Sequence, residues 1–421
     1  MASIATLVTT VAPWIAALGW LAAGVLWALT LAAVGSRARA ASRLPLPPGL
    51  RLPIDFLLGA WIAGAAMLAC GLAGAFRPAV LILVVAALAA AGRWSRQGWR
   101  WRSLLPGIVP ACLLLPVALA PPFFYDALVY HLALPWQALR EGRIAPHPED
   151  LFAAFPPLAQ LINAAPLATG LDRVPALLHL ASFVAAAAAL VCVARRLGAP
   201  AVLAALAGAT LLLLPALALV PGLPASEGWA IAPVIAAIAI VLDRRQSIGR
   251  AVLAGFLLGA ASAARLQGIA WSVIVIALLA GRSIQSRRGP AWAAVARRCG
   301  AFVAAWAIGS APWWLKNLIL LRDPLAPLGW RREGIDTLWL DAGATLHLAG
   351  GHLGAWPRAL IDGLGPHLAY LLPLALAAAL ALVSARERTG DPARAGTPAP
   401  GSEEGRHLWP LAGAVVLGLC A

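Results

Sequence analysis

The feature that most constrains this chain is a succession of apolar runs at roughly 10–34, 53–74, 78–92, 103–120, 174–194, 199–220, 229–242, 250–264, 269–281, 299–315, 366–383 and 408–421, separated by charged or Pro/Gly-rich breaks. About 20 apolar residues cross the hydrocarbon of a bilayer as a helix, and backbone in lipid must satisfy its own hydrogen bonds. Runs of this kind therefore predict an all-α polytopic membrane protein with about 10–12 transmembrane helices. Composition agrees: 62% of the 421 residues are hydrophobic and 12% charged, with a mean hydropathy of +0.84, outside the range of soluble domains. The shortest runs, about 14 residues, reach only about 21 Å as helix against roughly 30 Å of hydrocarbon. The pair 250–264 and 269–281 is accordingly read as a hairpin of partial crossings.

Basic residues outnumber acidic ones 32 to 17. With the uncharged N-terminus placed outside, 22 of the 32 basic residues fall on the inner side of the alternating breaks. The positive-inside rule thus accounts for the excess. No nucleic acid partner is needed, since that would require a basic face on a soluble domain. The five cysteines lie in or beside apolar runs and give neither a disulfide framework nor a metal spacing. His347 and His352, in "HLAGGH", lack the H-E-x-x-H pattern of a zinc site, and no phosphate-binding loop or dinucleotide fingerprint occurs.

Two long segments face outward in this topology, 121–173 and 316–365. The first opens "PPFFYDALVYHLALPWQALREGRI". From Asp126, the residues Leu128, Leu132, Trp136 and Leu139 are spaced as one face of a helix, with Tyr130, Gln137, Arg140 and Glu141 on another side. Further on, Phe155, Leu158 and Ile162 share a stripe after a Pro156-Pro157 helix start. Two amphipathic interfacial helices are expected here. Glu149 and Asp150 between them read as water-facing.

Ionisable residues at membrane depth are costly and usually have partners. Asp126 at the mouth of the first interfacial helix also fits an N-cap. Glu227 stands immediately before a span, Arg265 at the outer end of a hairpin, and Lys316 with Arg322 at the outer end of a later span. Tyr130 and His131 read either as substrate-binding residues or as interfacial rings. His179, among apolar residues, reads as a packed helix residue. Two acids and three cations on one side suit transfer from a polyprenyl-phosphate carrier. A carboxylate can take the acceptor proton, and cations can hold the departing phosphate. A transporter or flippase for a lipid-linked or amphipathic solute is the alternative, although transporters place their ionisable residues nearer the midplane and often carry inverted repeats.

"YDALVYHLALPW", "FPPLAQL", an acid opening a later span, "ARLQG" and "APWWLKNLILLRDPLAP" together resemble the membrane-embedded GT-C fold glycosyltransferases, in particular the protein mannosyltransferase and aminoarabinose transferase superfamily. The resemblance covers about residues 103 to 383. It implies a bacterial inner-membrane enzyme that uses a polyprenyl-phosphate sugar donor, with an unknown acceptor and membrane lipid as its other partners. It implies Asp126 as catalytic acid or base, Glu227 as second acid, and Tyr130, His131, Arg265, Lys316 and Arg322 about substrate and phosphate. No cofactor is certain; a divalent metal (Mg or Mn) on Glu227 stays open. Departures from the family pattern are Ala127 in place of a second acid after Asp126 and Phe155 before the Pro-Pro pair. A non-catalytic, lipid-binding relative is the reading those departures raise. By the same comparison, residues 1–102 read as added N-terminal spans before a core of 103–383. Residues 384–407 read as a disordered cytoplasmic linker, and 408–421 as the start of a further, truncated span.

Overall fold

The computed structural model describes residues 4–42, 46–92, 99–147, 150–214, 219–243, 247–285 and 292–327. Most of the outer segment 316–365, the span at 366–383, the linker 384–407 and the run 408–421, together with Glu149, His347 and His352, lie outside the described residues. The chain divides into two units, residues 1–213 with 219–332, and residues 214–218 with 333–421. Every element below belongs to the first.

No strand occurs among the described residues. The α-helices are α1 (Ile4–Ser42), α2 (Pro48–Leu72), α3 (Pro78–Ala91), α4 (Leu105–Leu119), α5 (Ala133–Glu141), α6 (Leu151–Ala154), α7 (Leu158–Ala168), α8 (Val174–Arg196), α9 (Ala201–Leu213), α10 (Glu227–Val241), α11 (Ile248–Ala264), α12 (Gln267–Gln285) and α13 (Trp292–Leu321). Among the described residues, four segments are long and apolar enough to cross a membrane: Trp14–Ser42, Pro48–Leu72, Trp101–Leu119 and Val174–Arg196. α3, α7, α9, α10 and α11 are apolar but shorter, as is the apolar stretch of α12. The fold is that of a helical membrane protein.

Local chemistry sets the helix ends. Proline opens α2, α3 and α8, where its missing N–H costs nothing. The Ser247 hydroxyl caps α11 by accepting from the Arg250 N–H at 3.3 Å. α5 stops at Gly142, whose φ of 71° is a left-handed conformation that suits glycine.

Glycine also sets how closely helices approach. A Cβ on Gly35 would lie 1.8 Å from the Asp55 carbonyl oxygen, and one on Gly59 1.7 Å from that of Leu31, so α1 and α2 cross backbone to backbone. Gly255 and Gly309 do the same for α11 and α13, the small-residue packing expected of membrane helices. Asp55, fully buried on α2, is held by Arg39 of α1 at 2.5 and 3.1 Å and by Trp99 at 2.8 Å.

The outer-segment helices differ from expectation in two ways. The buried stripe is Ala127, His131, Pro135 and Ala138, one residue ahead of the predicted Leu128, Leu132, Trp136 and Leu139. Leu132 and Leu139 are buried beside that stripe as expected, whereas Leu128 and Trp136 are 53% and 42% exposed. Where lipid borders the protein, small residues pack inward and bulky apolar ones can face out. α7 has no exposed polar face: Leu158 to Leu167 are all buried, because α2, α3, α5 and α8 all pack against it. A helix apolar nearly all round belongs in a core.

Candidate functional site

α10 begins at Glu227 and runs buried through the bundle beside α8 and α11. Gly228 permits this. A Cβ there would stand 2.0 Å from Ser182 Oγ, so only a glycine lets the start of α10 lie against α8. The Gly228 N–H then donates to His179 Nε2 at 2.9 Å. Because Nε2 accepts that bond, the ring proton of the neutral imidazole sits on Nδ1, which is buried without a hydrogen-bond partner. Nε2 stands 4.0 Å from Glu227 Oε2.

Arg265 ends α11 in an extended conformation. Gly268, whose Cβ would meet the Ser262 backbone at 2.4 Å, lets α12 turn back at once. The hairpin thereby presents Arg265 to α10. Its Nη1 pairs with Glu227 Oε1 and reaches Ser226 Oγ at 3.4 Å, while Nε donates to Gln267 at 3.3 Å. Glu227 Oε2 accepts from the Ser226 N–H at 3.1 Å. The pair is partly open, with side-chain exposures of 34% for Arg265 and 26% for Glu227.

The third component comes from a π-helical turn, Ala127–His131, immediately after Asp126. Such wide turns in helices recur at functional sites. The Tyr130 phenol lies within interaction range of the Asp126 carboxylate, Glu227 and Arg265. Its ring stacks on Phe152 at 4.6 Å and 3° and meets Phe155 edge-on. Burial first, then the interaction with Asp126, raises the phenol above its ordinary range. His131 is 3% exposed, and its carbonyl accepts from Asn163 at 3.4 Å. Burial lowers its pKa to about 3 against an opposing effect of Glu227, so the ring is neutral near pH 7.

The structure thus brings Asp126, Tyr130, His131, Glu227 and Arg265 together. It adds His179 and Ser226, which sequence spacing did not single out. The one signal for Ser226 is its adjacency to Glu227; His179 carries none, since its partner lies 49 residues away.

Lys316, expected at the donor phosphate, sits elsewhere. It is 4% exposed, and its ammonium donates to the carbonyls of Ala153 and, at 2.9 Å, Phe155. Asn317 beside it donates to Ala154 and Ala326. Both line a cavity of about 60 Å³ with Gln137, Glu141 and His147, well below the roughly 300 Å³ of small-molecule pockets. Two of the three Lys316 N–H groups are taken up by the Ala153 and Phe155 carbonyls, which ties α13 to the aromatic pair that Tyr130 packs on. Arg322 is exposed past the end of α13. Asp150, expected to face water, is half-buried and caps α6 by accepting from the Phe152 N–H at 2.8 Å.

No group of three or more His, Cys, Asp or Glu that could hold a metal occurs among the described residues. The Glu227 oxygens accept from Arg265 and the Ser226 amide.

Fold and site together define a helical membrane protein with a partly open cluster of acid, phenol, imidazole and guanidinium at one end of its bundle. No protein-family model matches the chain, and neither a curated protein nor a solved structure is similar to it.

Proposed function

We propose that the chain is a GT-C-like glycosyltransferase that transfers a sugar from a polyprenyl-phosphate-linked donor to an acceptor hydroxyl. The proposal sets it in a bacterial inner membrane, with the N-terminus and the Asp126 segment on the outer side. The observation that carries it is the meeting of a half-buried Asp126–Tyr130 pair with a Glu227–Arg265 pair at one end of the helices. In this scheme Asp126 takes the acceptor hydroxyl proton as its oxygen bonds the sugar C1. The bond from C1 to the phosphate oxygen breaks, and polyprenyl phosphate leaves with that electron pair. Arg265 offsets the charge that develops on the leaving phosphate. Glu227, Ser226 and Gln267 hold the guanidinium in place, and His179 braces Glu227 through the Gly228 amide. The exposed apolar side chains of Phe123, Tyr125 and Leu128 beside Asp126 suit an approaching lipid chain.

The test is release of polyprenyl phosphate from a panel of polyprenyl-phosphate sugars by reconstituted protein. Asp126→Asn is expected to lower release by about 10²-fold or more, the contribution of a general base, with membrane insertion intact. Wild-type turnover that survives in Asp126→Asn removes Asp126 from the reaction.

A further inference from the structure

Charged side chains gather at both ends of α10 and α11. Glu227 and Arg265 occupy one end of α10 and α11. About 22 Å along α10, counted at 1.5 Å per residue over 15 residues, a second cluster gathers around Asp243. Arg196, the last residue of α8, pairs with Asp243 Oδ2 at 2.7 Å. Arg250, in the first turn of α11, pairs with Oδ1. Arg282, in the last turn of α12, donates through Nη2 to the Leu242 carbonyl at 3.4 Å.

Part of this arrangement is ordinary end chemistry. α8, α10 and α12 all finish here, and guanidinium groups suit the negative ends of helix dipoles. Among the described residues the count does not balance, however: three cations gather about one carboxylate, whose two oxygens are engaged by Arg196 and Arg250, while Arg282 reaches the Leu242 carbonyl. Arg196 Nη1 and Arg282 Nε are shielded from water and have no acceptor. Shielded guanidinium N–H groups without acceptors are costly. A tetrahedral oxyanion supplies several acceptors at once, in the geometry a guanidinium fork recognises. Basic pockets between the ends of membrane helices are, in general, headgroup sites.

We infer that Arg196, Arg250 and Arg282, gathered around Asp243, form a binding site for a phosphate-bearing anion, whose two sources are a membrane phospholipid headgroup and free phosphate. The site is separate from the Asp126–Glu227 cluster and does not depend on the reaction proposed there. Asp243 keeps the arginines in place when the anion is absent and leaves the cluster a net positive charge to attract it.

The experiment uses the full chain in detergent. Phosphatidylglycerol, phosphatidylcholine and inorganic phosphate are titrated separately, and both lipid retention by native mass spectrometry and the thermal midpoint are followed. The variants are Arg282→Gln, which keeps both Asp243 ion pairs, Arg196→Gln, and Arg195→Gln, which removes the same charge from the exposed neighbouring position. Phosphatidylglycerol is expected to bind the wild type more tightly than phosphatidylcholine. Its affinity should fall about tenfold or more in Arg282→Gln, the scale of one hydrogen bond to a charged group, and stay unchanged in Arg195→Gln. A midpoint for Arg282→Gln equal to wild type in phosphatidylcholine verifies its folding, so the test stands even if Arg196→Gln does not fold. Inorganic phosphate that acts alone with the same variant dependence also supports the site and assigns the free ion as occupant. Equal retention of both lipids with no response to phosphate overturns the inference, as does an equal loss in Arg195→Gln and Arg282→Gln.

Discussion

At the scale of residues, the site hangs on a few atoms whose replacement has definite consequences. Gly228→Ala puts a methyl group where Ser182 Oγ stands 2.0 Å away, so α10 must shift from α8. A loss of about 1–3 kcal/mol is expected, typical of overpacking, visible as a lower thermal midpoint. The Glu227–Arg265 geometry should suffer with it. His131 makes stability depend on pH. Its folded pKa of about 3 lies below the ordinary 6.5, so the unfolded chain binds the proton more readily. The stabilisation is complete above about pH 6.5 and is lost as pH falls from there toward 3. Hydrogen exchange of residues 127–141 should accelerate on acidification across that window, and His131→Phe should flatten the dependence; an unchanged slope would refute the assignment. Glu227 and Arg265 could be read from the chain, because a charge beside an apolar run is expensive and needs a partner. His179 could not. A lone histidine in an alanine-rich helix has the same appearance whether it packs against phenylalanine or braces a carboxylate.

At the scale of elements, Lys316 ties α13 to the segment between α6 and α7, some 160 residues earlier in the chain. Lys316→Met removes the charge and leaves two carbonyls without a donor. Its expected cost is about 1–3 kcal/mol, with faster proteolysis or exchange around Ala153–Phe155. If the role is to hold Phe152 and Phe155 under Tyr130, the variant also weakens any ligand that depends on Asp126. The helical character of 121–173 was legible from its spacing, as were the start of α10 at an acid and the α11–α12 hairpin. The packing face of α5 was not, because the period of a pattern does not say whether its bulky side faces protein or lipid. Pro135 and Ala138 inside, with Trp136 outside, invert the rule that serves in water. The burial of α7 was hidden for a related reason: Gln160 and Asn163 make it look amphipathic, yet both are buried.

At the scale of the whole molecule, the two charged clusters mark opposite ends of the same helices. With the native cysteines replaced, Leu128→Cys and Ser247→Cys should react with impermeant reagents from opposite sides of the membrane; labelling of both from one side would refute that arrangement. The succession of spans was legible because hydropathy needs no tertiary information, whereas the close crossings at Gly35, Gly59 and Gly309 depend on which backbone comes to meet them. α3 and α9, of 14 and 13 residues, have a further consequence. Both present exposed apolar side chains, among them Leu83, Val202 and Leu206, yet each is only about 20 Å long. A bilayer with roughly 30 Å of hydrocarbon must pinch inward along these flanks or leave part of its core against polar groups. If α3 and α9 cross it, the lipid along these flanks is expected to be compressed. In vesicles of graded acyl length the protein's thermal midpoint should peak at short chains and fall as the bilayer thickens, so that the lipid around it becomes a setting of its stability.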